Sequence, residues 1–156
     1  MGVTKKLPNA SHCFVCGLEN QFGLQLSFYI DEHKQVISEI TVPEHFQGYP
    51  GVVHGGIVAT MLDETLARAV MADDPNRFMF TGRLTTRYRK PVPLGVPLRL
   101  VGQVRRDRGR VAECAAYLYG PDEELYAEAE GLLMEVPEEV LSNTDFSGMS
   151  WQVHPD

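Results

Sequence analysis

Hydrophobic positions along the 156-residue chain follow two periods. Leu24, Leu26, Phe28 and Ile30 alternate with Gln25, Ser27 and Tyr29, the period of a half-buried strand. Val36 to Val42 alternates as well, and Asp31-Glu32-His33-Lys34 between the two runs predicts a hairpin loop. Gln47-Gly48-Tyr49-Pro50-Gly51 then excludes regular structure. From Gly55 to Met71 there is no proline, and Val58, Met61, Leu62, Leu66, Ala69 and Val70 recur at helical spacing. Their apolar surface is wide, which predicts a buried helix rather than one lying on the outside. Asp73-Asp74-Pro75-Asn76 ends it. Four strand-like runs follow: Phe78 to Lys90, Leu98 to Arg106, Arg110 to Tyr119 and Glu124 to Met134. Short turns rich in Gly, Pro and Asp separate them. From Glu135 onward the chain is polar, with room for one turn of helix.

Two strands, one buried helix and four strands joined by hairpin-length turns imply an antiparallel sheet. One apolar helix against a curved sheet is an α+β layer architecture. Composition agrees with a globular chain, 44% hydrophobic and 22% charged. No apolar run approaches the ~20 residues of a membrane span. The first residues carry lysines without an apolar stretch after them, which does not fit a secretory signal. Three cysteines, an odd number, do not suggest a disulfide framework. The expectation is a cytoplasmic protein.

The net charge of −7 is unevenly spread. Nine of the 14 basic residues lie between Arg83 and Arg110, with Asp107 the one acid among them. A chain this acidic overall is a poor general nucleic-acid binder, since such binding relies on phosphate neutralisation. The basic strip reads either as a solvated sheet face or as a site for a small polyanion.

The most informative stretch runs from Gly51 to Glu64. It sets His54, Gly55 and Gly56 at the start of the helix and a carboxylate about two turns inside. The first helical N–H groups have no intrahelical partner, so they suit a developing oxyanion. The same glycines could instead serve as a loop-to-helix hinge. Glu64 has Arg68 four residues on, an ordinary helical ion pair. Asp63 has only Ala59, Thr60, Leu66 and Ala67 as helical neighbours. Without a partner it is costly to bury or has a raised pKa, so it reads as functional unless an arginine from another strand pairs with it.

The run His54 to Asp63, followed by Thr81 and Tyr88-Arg89-Lys90-Pro91-Val92-Pro93-Leu94, resembles the hotdog-fold acyl-CoA thioesterases of the PaaI type. Cys13-Phe14-Val15-Cys16-Gly17 with Asn20, Gly23, Leu24 and Leu26 is similar to an N-terminal segment common in that group. The resemblance covers roughly Cys13 to Met134. It implies a hotdog sheet wrapped around one central helix (residues 24–136), an N-terminal segment with the CxxC packed on it (1–23) and a C-terminal tail (137–156). It also implies a homodimer, or a tetramer built from such dimers, with each active site built across the dimer interface.

By position, the Gly55 N–H would bind the thioester carbonyl beside His54. Asp63 of the facing subunit would act as base or nucleophile, and Thr81 would position the water or the carboxylate. Gln47, Gly56, Arg87, Arg89 and Lys90 would contact the substrate, the basic three at coenzyme A phosphates; Arg105 to Arg110 could add to that field. Relatives often carry Asn or Gln six residues before the histidine. Here that position is Gly48, and the amide is Gln47.

The resemblance implies no cofactor, because coenzyme A is part of the substrate, and no metal, nucleic-acid or membrane partner. A non-catalytic acyl-CoA-binding or regulatory hotdog protein is the alternative. His12, Cys13 and Cys16 resemble half of a zinc site, but a closed site needs four ligands. His45 and Phe46 echo hotdog dehydratases, yet Ala59 stands where those enzymes need an acid. Trp151 and the Phe146 region read as a clamp onto a partner subunit or as a disordered end.

Overall fold

The structure, a computed structural model, describes residues 2–156. The expected helix forms over Gly55–Ala69 (α1). Strands are Val3–Lys6 (β1), Tyr29–Asp31 (β2), Val36–Thr41 (β3), Met79–Tyr88 (β4), Pro97–Asp107 (β5), Val111–Tyr119 (β6) and Leu125–Glu135 (β7). They make one antiparallel sheet in the order β1-β2-β3-β5-β6-β7-β4. Glu138–Asn143 forms a short helix (α2) in the tail. This is the α+β architecture expected, a curved sheet around one long helix.

The register explains how the helix seats. Leu100 pairs with Leu118, Gly102 with Ala116, Ala116 with Ala129 and Leu118 with Ala127, all facing the same way. Every one of these except Gly102 belongs to the buried core. Small residues at the centre of that face let α1 approach closely. At Gly102 a Cβ would stand 2.7 Å from the Thr65 carbonyl oxygen, so no side chain fits where helix and sheet cross. On α1, Val58, Met61, Leu62, Thr65, Leu66 and Ala69 are buried, the expected i, i+3, i+4 stripe. Among the described residues no helix is long and apolar enough to cross a membrane.

The N-terminal region departs from expectation. The run from Leu24 to Ile30 pairs as a sheet strand only from Tyr29. Gln25 sits at φ +52°, in the left-handed region, which breaks the strand path. Its neighbours bond to a loop instead: the Leu24 and Leu26 N–H groups donate to Phe14 and Val15 carbonyls. The alternation still marks the buried face, since Leu24, Leu26, Phe28 and Ile30 are all in the core. The strand β1 was not expected from the sequence.

The tail packs on its own chain. The Trp151 ring lies over the Arg68 guanidinium, at 4.6 Å, and its Nε1–H donates to the Pro75 carbonyl. A bridge between Asn9 and Gln152 joins the two terminal segments. Arg68 is 1% exposed. Besides Trp151 it meets the Phe28 ring at 4.8 Å, donates from Nε to Glu64 at 3.2 Å and from Nη1 to the Pro8 carbonyl at 2.6 Å. The Glu64–Arg68 pair read from the sequence as an ordinary helical pair is therefore a buried tie between α1, the N-terminal segment and the tail.

Candidate active site

His54 caps α1. Its Nδ1 accepts from the Gly56 N–H at 2.9 Å, which places the proton of the neutral ring on Nε2. The Ile57 and Val58 N–H groups both bond to the His54 carbonyl. Of the four orphan donors at this helix start, only the Gly55 N–H has no acceptor among the described residues. The cap thus singles out the donor that the sequence comparison nominated, and it commits Gly56 to holding His54. The Tyr88 hydroxyl donates to the Gly55 carbonyl at 2.7 Å, fixing that peptide from behind. Tyr88 was quoted in the sequence motif but not nominated as a site residue.

Gly48, where relatives carry an amide, is close-packed on His54. A Cβ there would meet the His54 Cα at 3.0 Å, so a longer side chain would displace the ring. The amide of Gln47 accepts from the Gly51 N–H at 3.0 Å and so braces the Gly/Pro turn. An open cleft of about 820 Å³ lies over this corner. Gln47, His54, Gly55, Arg89 and Lys90 are among its lining residues, with Val53, Val58 and Val92 as apolar wall and the well-exposed Tyr49 at its edge.

Asp63 lies eight residues further along α1, about 12 Å of helix axis. It is half-buried, and the Thr81 hydroxyl donates to its Oδ1 at 2.7 Å. Among the described residues it has no cationic partner, so the alternative of a strand arginine is not found. Neither Asp63 nor Thr81 lines the His54 cleft. Within one chain the nominated donor and the nominated acid are brought to the same helix but not to the same place.

A bulge in β4 sets both strand contacts. Thr81 pairs with Leu133 and Arg83 with Leu132, so Gly82 is an extra residue. Thr81 and Tyr88 are seven residues apart and would face opposite sides of a regular strand. The extra residue restores a common face, and both reach α1.

The basic strip is mostly paired. Arg89 meets Glu128 at 3.1 Å and Lys90 meets Glu124 at 2.5 Å; Arg99 pairs with Glu123, Arg77 with Asp107 and Arg110 with Glu135. Arg89 and Lys90 still line the cleft, whereas Arg87 is exposed and does not. Arg110 lies where β6 meets Met134 and Glu135, the end of the sheet far from Tyr88. The stretch from Arg105 to Arg110 therefore does not add to the cleft in its own chain. Away from this cleft, the Cys13 and Cys16 sulfurs and a Glu64 oxygen lie within 4.8 Å of one another. They are one donor short of a closed tetrahedral site, and the Arg68 cation already holds the carboxylate.

Comparison with known proteins places this geometry. A family model described as Thioesterase superfamily matches residues 50–127, from the Gly/Pro turn to β7. The acyl-coenzyme A thioesterase THEM4 of Mus musculus is 30% identical over 132 residues, 83% of this chain and 56% of the relative. The chain thus spans little more than half the length of that curated relative. A solved thioesterase superfamily protein superposes with a TM-score of 0.73 at 32% identity, over 79% of this chain and 63% of the other. Two others share the fold at low identity. The PaaI protein of Escherichia coli gives a TM-score of 0.65 at 17% identity, covering 73% and 81% of the two chains. A Streptococcus mutans protein bound to acetyl CoA gives 0.61 at 19%, covering 66% and 82%. By its sequence and by its helix-in-sheet architecture, the chain belongs to the thioesterase superfamily and has the hotdog fold.

Proposed function

We propose that the protein hydrolyses acyl-CoA thioesters to a carboxylic acid and coenzyme A, in a homodimer with two shared sites. The observation that carries this reading is Asp63, a carboxylate on the central helix fixed by Thr81 and, among the described residues, unpaired with any cation. Thr81 occupies Oδ1, leaving Oδ2 to take a proton from water as the water attacks the thioester carbon. The Gly55 N–H, and the His54 Nε2–H beside it, supply donors for the oxygen that becomes negative. Collapse of that intermediate breaks the C–S bond; the leaving thiolate takes a proton and departs as coenzyme A. The charged rim of Arg89 and Lys90 suits the phosphates of the leaving portion, with Arg forming forked contacts.

Two copies bring the parts together. The roughly 12 Å of helix axis between Gly55 and Asp63 is long for both to act on one carbonyl, which supports an acid supplied by a second chain. Strand β4 offers the means: it is ten residues long, lies at the sheet edge and is largely exposed. An open edge of that length is a template for strand pairing. Exposed Phe80 and Met134 sit on neighbouring positions of β4 and β7. The relative's name, an acyl-coenzyme A thioesterase, supports the substrate class.

The test is free-thiol release from a panel of acyl-CoAs differing in chain length and aromaticity. Turnover of at least one member is expected; tight binding of the panel without release would replace the enzyme by a binding or regulatory module. Thr81→Val should lower kcat by roughly 10- to 100-fold with little change in KM, the worth of a hydrogen bond to a charged group. Thr81→Ser should keep most of the rate. Equal rates for Thr81→Val and the unaltered protein would remove Thr81 from the site.

A further inference from the structure

The CxxC of the N-terminal segment takes no part in the chemistry above, yet it is a built pair. The Gly17 N–H bonds to the Cys13 carbonyl at 2.8 Å, closing residues 13–17 into a single helical turn. Cys13 begins that turn. Its sulfur accepts the Val15 N–H at 3.4 Å and also faces the Cys16 N–H and the Cys16 thiol. The two sulfurs differ in access: Cys13 is half-buried, whereas Cys16 is 1% exposed and receives the Ala10 N–H. A Cβ at Gly17 would stand 2.4 Å from the Cys13 carbonyl oxygen, so the turn depends on glycine after the second cysteine.

We propose that Cys13 and Cys16 form a reversible dithiol–disulfide centre that reacts with low-molecular-weight disulfides, Cys13 attacking and Cys16 resolving. The Cys13 thiolate attacks one sulfur of R–S–S–R, giving a mixed disulfide and releasing one RS⁻. Cys16 then gives up its proton and attacks the Cys13 sulfur, releasing the second RS⁻. The chain loses two electrons to the reagent and two protons, and two thiols R–SH leave.

The surroundings favour this division of labour. The hydrogen bond from Cys16, the turn's N–H groups and the Arg68 charge lower the Cys13 thiol to about 5, although burial opposes them. Its contact with Cys13 and burial push the Cys16 thiol up. An accessible thiolate beside a buried thiol is the arrangement exchange requires. Cys114, buried in β6 and pushed up to about 12 by burial, has no such partner and serves as an internal control. Disulfide closure removes one anion from beside Glu64, leaving Arg68 a single carboxylate to neutralise.

The experiment equilibrates the full chain in glutathione buffers of graded poise, traps free thiols with an alkylating agent after denaturation and counts them by mass. In the unaltered protein two thiols should disappear together while the third, Cys114, stays free. Cys16→Ser should accumulate one glutathione on Cys13, and Cys13→Ser should leave Cys16 reduced. Thermal unfolding checks that each variant is folded, and the unaltered protein decides the question alone if one is not. Three free thiols at every poise, or involvement of Cys114, would overturn the proposal. So would one tightly held zinc per chain, released on alkylation.

Discussion

Replacement of Asp63 by Asn is expected to lower acyl-CoA hydrolysis by roughly 10²- to 10⁴-fold, the usual contribution of a positioned general base. The change keeps shape and leaves an oxygen to accept from Thr81, so folding and substrate binding should survive. A partner variant tests the other half of the site. Gly55→Pro replaces the N–H with a ring carbon: proline is tolerated at the first helical position, a Cβ there makes only ordinary contact with Tyr88, and His54 has the extended backbone (φ −55°, ψ 135°) that precedes a proline comfortably. Its loss should cost roughly 10²- to 10³-fold in kcat, as for one oxyanion donor. Mixing the two inactive variants separates a shared site from a private one. In a symmetric pair, each heterodimer has one site with both Gly55 and Asp63 intact, so random mixing should restore about a quarter of full activity. No recovery, with heterodimers present, would place both groups in one chain's site and overturn the dimeric mechanism. Full activity of Asp63→Asn would overturn the assignment of the acid.

The second large effect concerns stability. Arg68→Ala should destabilise the protein by about 3–5 kcal/mol, because it empties a fully buried site and leaves the half-buried Glu64 carboxylate without its cation. It also takes away the centre of the stack between Phe28 and Trp151 and the donor to Pro8. Burial already pushes the Glu64 carboxyl up, and Arg68 is the main force holding it down. Without Arg68 the native pKa of Glu64 rises further above its ordinary value of 4.5. A raised acid binds its proton more tightly in the folded state, so stability is kept below that value and lost as pH rises through the folded pKa. The deficit of Arg68→Ala should therefore be smallest in acid and grow toward neutral pH, read by denaturant unfolding across pH. Glu64→Met with Arg68→Met should recover much of the loss, since apolar residues can replace a buried pair at little cost. If the double variant were as unstable as Arg68→Ala, the stacking on Trp151 and Phe28 would be the dominant contribution instead.

Much of this fold is legible in the sequence because local pattern and burial agree. The spacing of Val58, Met61, Leu62, Leu66 and Ala69 marks α1, and the four long runs after it are β4 to β7 with ends shifted by a few residues. Partner choice is less legible. Nothing local says that β4 leaves its neighbours in sequence to pair with β7, or that Val3–Lys6 adds an edge strand beside β2. The run from Leu24 advertised its buried face correctly, but its hydrogen bonds went to a loop that the period cannot reveal. At the site, His54, Gly55 and Asp63 stand out through residue type and position on one helix. Arg68 did not, because an i, i+4 pair reads the same whether solvent or two aromatic rings surround it.

The bulge at Gly82 makes the backbone path of β4, rather than its residue types, the constrained quantity. Pairing all ten residues of β4 without the bulge would leave Thr81 and Tyr88 in the sequence and every apolar position intact. It would also return the strand to unbroken alternation, so that only one of the two could face α1. The acid end and the oxyanion end of the central helix are thus kept in phase by the bulging of a single surplus residue. Substitutions along the edge can accumulate only so long as they leave the bulge in place.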